Sequence, residues 1–305
     1  MRPELAHATL LLRSEDPAKQ EEALRILQKT VYSFSMKVCG HPQDAEDTAQ
    51  EVLLKALRFV GKIDSPQALA VWLYKVTRNR CWMSRRRSKF APKETLALEE
   101  LMPDSAELKS LSSTPQQTPE AQAISAQEGE RLHAAILRIP PGYRLVLALH
   151  DMEGLDTAQV AKVAGLREGT VRVRLHRARL FLRRELAKPS SRVRENVNPP
   201  DPGTAAVSKR KTAPPRKPAD CREMFAMLSE YLDGRMSSLA CEQLRLHLED
   251  CPPCAAFIAD LQRAVKRCQT FEVPCEPATA KKLRKLLTEE YARVLNRRKT
   301  SARPS

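Results

Sequence analysis

The sequence predicts an all-α protein, and two observations carry that expectation. Glycine is scarce, with 9 in 305 residues, and aromatics make up 5%, whereas sheet-rich and nucleotide-cradling folds draw on glycine for their turns. Apolar residues recur at three- and four-residue spacing through 22–38, 45–60 and 68–84, which is the period of one buried helix face. A third observation bears on partners. The net charge is +15, from 52 Lys+Arg against 37 Asp+Glu, which favours a polyanion, nucleic acid first and an anionic membrane surface second. No run of about 18 apolar residues occurs, and the opening MRPELAHATLLLRSEDP lacks a small-residue cleavage site. The expectation is a cytoplasmic chain with no membrane partner, whose eight cysteines are mostly reduced.

Along the chain, residues 5–88 read as helices and 92–120 as an acidic linker with the stretch SLSSTPQQTPE. Residues 124–187 are helical again. Residues 188–220 hold NPPDPG and KRKTAPPRKP, which cannot continue a helix. A cysteine-bearing unit follows at 221–268, then one more helix at 278–297, and a basic tail at 297–305 with no expected order.

The segment Leu155 to Leu186 reads as a helix-turn-helix. Asp156 or Thr157 can cap a short first helix, with Val160, Ala161 and Val163 as its apolar face. Gly165 stands where that helix must stop in a left-handed turn. Glu168–Gly169–Thr170 opens a second helix, on which Val171, Leu175, Ala178 and Leu182 form one apolar stripe. Its other faces carry Arg172, Arg174, His176, Arg177, Arg179, Arg183 and Arg184. A helix of this kind can dock on a core and enter a major groove, where arginine reads guanine. Thr170 and the helix's first amides can meet a phosphate.

This stretch, with Pro140 and Pro141 opening the preceding helix and the run Gly169–Thr170–Val171, Arg174, Arg177, Ala178, Arg179, resembles region 4 of the sigma-70 family, of the extracytoplasmic-function type. The resemblance implies recognition of the −35 promoter element, with Arg172, Val173, His176 and Arg177 as the base-facing group and Thr170, Arg174 and Arg179 beside it. Val173 stands where many members carry a small polar residue.

In the N-terminal half, Asp44, Glu46 and Asp47 suit the positive start of a helix dipole. Ala45, Ala49, Val52 and Ala56 fill one face of that helix. Asp44, Asp47, Gln50, Glu51 and Lys55 remain polar, which a solvated face also explains. The next helix holds Trp72 and runs through Asn79 and Arg80 to Trp82 and Arg85–Arg86–Arg87. Aromatics beside a basic face suit stacking on unpaired bases, with core packing the alternative for Trp72. Together these segments resemble sigma region 2. The resemblance implies that Asp44, Asp47, Gln50, Glu51 and Lys55 dock on RNA polymerase core, and that Asn79, Arg80, Arg86 and Arg87 face the −10 element. Met83 occupies a position where many members have aspartate.

The cysteine unit reads Cys221–x25–His247–x3–Cys251–x2–Cys254. His247 and Cys251 are four apart and share a helix face. Two thiolates and an imidazole within eight residues suit a tetrahedral zinc site. Cys221 is the fourth candidate ligand, with Cys241 and Cys268 as alternatives. With LSEYLDG in its first helix, the unit is similar to the zinc-binding anti-sigma domain. That resemblance implies one Zn2+ and a regulatory partner held in cis.

The expected architecture is therefore two helical sigma domains, 20–91 and 124–187, joined by the linker 92–123. The second linker, 188–220, leads to a small helical zinc-binding domain at 221–268. No nucleotide-phosphate loop, nucleophile elbow or paired catalytic carboxylates are found, so a non-enzymatic role is expected. The competing expectations are a helix-turn-helix regulator that never engages polymerase, and a nuclease or redox enzyme using CPPC, which nothing else in the sequence supports.

Overall fold

The computed structural model describes residues 3–12, 14, 16–59, 65–85, 97–103, 126–188 and 218–301. All regular structure among them is helical: α1 (Pro3–Leu11), α2 (Pro17–Cys39), α3 (Pro42–Phe59), α4 (Pro66–Arg85), α5 (Leu98–Leu101), α6 (Ala126–Arg138), α7 (Pro141–Leu147), a π turn (Ala148–Met152), α8 (Thr157–Ala164), α9 (Glu168–Ala187), α10 (Pro218–Leu232), α11 (Ser238–Asp250), α12 (Pro252–Thr270) and α13 (Pro277–Ser301).

Local chemistry sets the ends of these helices. Asp16 accepts from the Ala18 amide, Pro17 fills the first position of α2, and Gly40 at φ 77° stops it, each as the capping rules require. The Asp156 carboxylate accepts from the Gln159 amide while the Gln159 side chain accepts from the Asp156 amide, a capping box that starts α8. Gly165 ends α8 at φ 67°.

The N-terminal unit, α1–α4, is arranged around α2. The first half of α2 is amphipathic, but every residue from Thr30 to Cys39 is buried. This helix is buried all round because α3 and α4 cover one side while α6, α7, the π turn and α13 reach it from others. The second unit, α6–α9, has the buried stripe Val171, Leu175, Ala178 and Leu182, so the spacing read from the sequence is the packing face.

The C-terminal unit is not a separate bead. α12 begins at the cysteine cluster and ends with Ala264 and Cys268 in the same hydrophobic core as Leu27, Leu73, Leu149 and Val163. α13 then lies on α2 and α3. A second core joins Leu101, Leu180, Phe225, Phe257 and Leu261, with the Phe225 and Phe257 rings edge to face at 4.8 Å.

Two expectations are corrected and a third is refined. Part of the acidic linker is ordered, because Leu98 and Leu101 dock on that second core and Arg184 donates to the Glu100 carbonyl at 2.7 Å. The tail does not begin at 297, because α13 continues to Ser301. Six of the eight cysteines are free, in keeping with the expectation of mostly reduced thiols, and two are joined. α2 and α4 bring the Cα atoms of Cys39 and Cys81 to 5.3 Å and the pair forms a disulfide, within bonding geometry.

Candidate functional site

On α9 the sequence-predicted DNA residues separate into two groups. Thr170, Arg172 and Val173 are exposed, with Val173 at 51%. Arg174 lies over the Tyr143 ring at 5.8 Å, and Arg177 is half-buried. One face of the first two turns of the helix thus meets solvent, opposite the buried Val171 and Leu175. His176 and Arg179 are buried, and so is Arg183.

The second group is covered by the C-terminal unit. Arg179 donates from Nε and Nη2 to the Asp151 carboxylate at 2.8 and 2.6 Å. The same Nη2 donates to Asp233 at 2.6 Å, and Nη1 to the Ser229 carbonyl at 3.3 Å. Asp151 comes from the π turn of its own unit, whereas Asp233 and Ser229 come from the end of α10. Burial would push the Asp151 carboxyl up, but the Arg179 guanidinium and His150 hold it below its ordinary value. Arg179 is raised despite burial, by Asp151 first and Asp233 next. His150, Asp151 and Asp233 converge closely enough for a metal ion, yet the guanidinium already satisfies both carboxylates.

Further contacts extend this seam. His176 Nδ1 is 3.0 Å from the Ser229 hydroxyl. Burial, helped by Arg179 and Arg177, lowers the His176 pKa to about 4. Arg183 donates to Asp260 at 2.9 Å and lies over the Phe257 ring at 4.2 Å, both on α12. Arg235 donates to the Thr157 hydroxyl at the start of α8. The sequence reading missed Ser229, Asp233, Arg235 and Asp260. Asp233 lies in the LSEYLDG segment, but nothing in the sequence says what that turn faces.

In the N-terminal unit, Asp47 and Lys55 on α3 are exposed, and Asp44, Gln50 and Glu51 are half-buried. Glu51 joins Lys55 at 2.6 Å and Arg80 of α4 at 2.8 Å. Asn79 is exposed. Trp72 is half-buried against the core. Arg86 and Arg87 lie outside the described residues, as does the Trp82 side chain. The same edge of α3 is met by α13: Lys282 and Thr279 both donate to Glu46. Glu46 was read from the sequence only as a helix-dipole partner.

The third site is the cysteine cluster. Ligand atoms of Cys221, His247, Cys251 and Cys254 lie within 4.8 Å of one another. Cys221 sits in the first turn of α10, His247 in the last turn of α11, and Cys251 and Cys254 at the start of α12. The Nε2 of His247 is buried without a hydrogen-bond partner, an arrangement costly for a bare imidazole and expected of a metal ligand. Burial pushes the Cys254 thiol up, with Cys251 and Cys221 adding to it. A divalent cation would reverse that preference. Of the alternative ligands, Cys268 is buried at the far end of α12, and Cys241 lines an open groove of about 510 Å³ with Tyr231 and Arg245.

The described residues thus combine a helix-turn-helix, a second helical unit and a Cys/His cluster at the meeting ends of three helices. Sigma-70 region 2 matches residues 24–90, sigma-70 region 4 matches 129–182, and a zinc-finger family matches 221–255. The RNA polymerase sigma-H factor of Pseudomonas aeruginosa is 31% identical over 155 residues, 50% of this chain and 78% of that protein. The ECF RNA polymerase sigma factor SigE of Mycolicibacterium smegmatis is 31% identical over 178 residues, 58% of this chain and 65% of that one. The probable sigma factor RfaY of Xanthomonas campestris is 30% identical over 162 residues, of which the matched part is 38% of its length. The chain belongs to the sigma-70 family. Among the described residues, no helix is long and apolar enough to cross a membrane.

Proposed function

We propose that the chain is a sigma factor that directs RNA polymerase core to promoters, and that its own C-terminal zinc unit holds it closed. In this reading α2–α4 form region 2. Asp44, Asp47, Gln50, Glu51 and Lys55 meet polymerase, and Asn79, Arg80, Arg86 and Arg87 meet the −10 element. With the C-terminal unit lifted away, region 4 presents Thr170, Arg172, Val173, Arg174, His176, Arg177 and Arg179 towards the −35 element. The boundaries 20–91, 124–187 and 221–268 delimit the three units. The chain supplies differential binding of promoter over other DNA, and polymerase supplies the chemistry, all in the cytoplasm.

The observation that carries the regulatory half is the double hold on α9: Arg179 by Asp233 and Arg183 by Asp260. Lys282 on Glu46 adds a hold at the α3 edge. One zinc ion held by Cys221, His247, Cys251 and Cys254 would tie the ends of α10, α11 and α12 together. Such a four-ligand site is structural, because no position is left for substrate. The ion's contribution is to keep Asp233 on α10 and Asp260 on α12 at fixed separation, so both arginines are held at once. A linker at 188–220, as expected from the sequence, would keep the unit at an effective concentration on the order of millimolar.

The test is run-off transcription with core polymerase and a candidate promoter. Promoter-dependent initiation is the expected result. Specific DNA binding without initiation would replace this reading with that of a regulator that does not engage polymerase.

A further inference from the structure

We propose that the two promoter-reading units also close on each other directly, through a buried clasp of Lys37, Tyr74 and Glu153, and that this clasp holds without the zinc unit's grip. The inference rests on the reading of α4 as the −10 helix. It adds a second lock, built from the sigma units alone.

Glu153 follows the π turn in the helix-turn-helix unit, while Lys37 is on α2 and Tyr74 on α4. Lys37 Nζ lies 2.9 Å from Glu153 Oε1, with side-chain exposures of 0% and 1%. The Tyr74 hydroxyl donates to the other carboxylate oxygen at 2.8 Å. Both carboxylate oxygens of region 4's Glu153 are thus taken by region 2. Two arginines bracket the clasp. Arg144 of α7 donates to the Val38 carbonyl at 2.9 Å and to the Leu137 carbonyl at 2.7 Å. Arg78 of α4 donates to the Val163 carbonyl in the last turn of α8, where unpaired carbonyls and the negative end of the helix dipole favour a cation. Arg78 immediately precedes Asn79 and Arg80. The promoter-facing helix of one unit is therefore docked on the first helix of the other unit's helix-turn-helix.

The chemistry suits a joint that opens. A buried ion pair adds little net stability over an apolar contact, because both charges lose water. It does fix one register, since a slipped interface would bury Lys37 or Glu153 alone. On opening, ammonium, carboxylate and phenol return to water, which offsets part of the cost of exposing the shared apolar core of Leu73, Leu149 and Val163. The polar grip works through Ser229, Asp233, Arg235 and Asp260 and the clasp through Lys37, Tyr74 and Glu153. The two sets of polar contacts are therefore separable by substitution, while Ala264 and Cys268 of α12 stay packed in the common core.

The experiment measures energy transfer in the full chain between fluorophores encoded at the exposed positions Arg25 on α2 and Lys162 on α8. In Asp233→Ala/Asp260→Ala, which loosens the zinc unit, transfer stays high. Adding Glu153→Gln leaves Lys37 buried and uncompensated when closed, and the closed-to-open ratio falls on the order of a hundredfold. Replacing the pair with apolar groups, Lys37→Met/Glu153→Leu, in the same background restores high transfer, which a merely misfolded variant would not do. If Asp233→Ala/Asp260→Ala alone opens the units fully, or if adding Glu153→Gln leaves transfer unchanged, the direct clasp is refuted. The readout needs neither polymerase nor promoter, so failure of the sigma-factor reading would appear separately, in run-off transcription.

Discussion

Asp233→Ala tests the zinc unit's hold where its geometry is best defined. The Asp233 carboxylate is 12% exposed and accepts from Arg179 at 2.6 Å. Removing one partner of a buried, hydrogen-bonded charge pair across an interface costs about 2–5 kcal/mol. The lower end applies, because Arg179 keeps two bonds to Asp151 and no buried charge is orphaned. About 2 kcal/mol corresponds to roughly a thirtyfold shift from closed towards open. A ligand that binds only the open form sees that shift directly, since its apparent Kd scales inversely with the competent fraction. Titrating fluorescent full-length chain with core polymerase should show binding tightened by up to about thirtyfold in Asp233→Ala. Asp260→Ala removes a partly exposed carboxylate (26%) from an arginine that is 2% exposed, and should act in the same direction by about 1–2 kcal/mol. An unchanged affinity in both variants, with native helix content, would refute the argument that these carboxylates hold the recognition helix.

Three further outcomes follow from the same geometry. His176 has a pKa of about 4 when buried, against an ordinary 6.5, so the closed form excludes a proton that the open form binds. The hold is complete above about pH 6.5 and is lost as pH falls towards 4; at pH 5.5 the closed-to-open ratio should be about tenfold lower than at pH 7.5. His176→Gln should remove that part of the dependence, and an equal pH profile in the variant would assign it elsewhere. His247→Ala and Cys254→Ser should each lower bound zinc, measured by plasma mass spectrometry, and reduce the thermal stability of residues 218–270; undiminished zinc would overturn the ligand assignment. Gly165→Ala places a side chain at φ +67° and should cost about 1 kcal/mol, a fall of about 2–4 °C in Tm by calorimetry. No change there would mean the turn relaxes.

What could be read from the sequence was local. The cap expected at Asp156 or Thr157, the turn at Gly165 and the stripe Val171–Leu175–Ala178–Leu182 each depend on residues a few positions apart; the structure has the cap at Asp156, the turn at Gly165 and the stripe buried. The Cys/His cluster was legible because three of its members lie within eight residues. Pairings across units were not legible. Arg179 reads as a solvent-facing arginine because its partners are 28 and 54 residues away. Nothing local in the sequence marks Lys37, since its partner is 116 residues away. The Cys39–Cys81 disulfide spans 42 residues, and composition argued for reduced thiols. Long-range ion pairs leave no periodic trace, so the sites appeared in the sequence while their concealment did not.

In the proposed reading, this sigma-family chain carries its own inhibitor. The most direct measurement compares run-off transcription by core polymerase with the full chain and with a chain lacking residues 200–305. Higher promoter-dependent initiation by the shortened chain is the predicted result. Equal initiation by both chains under all conditions, including after zinc is removed from the full chain, would contradict it.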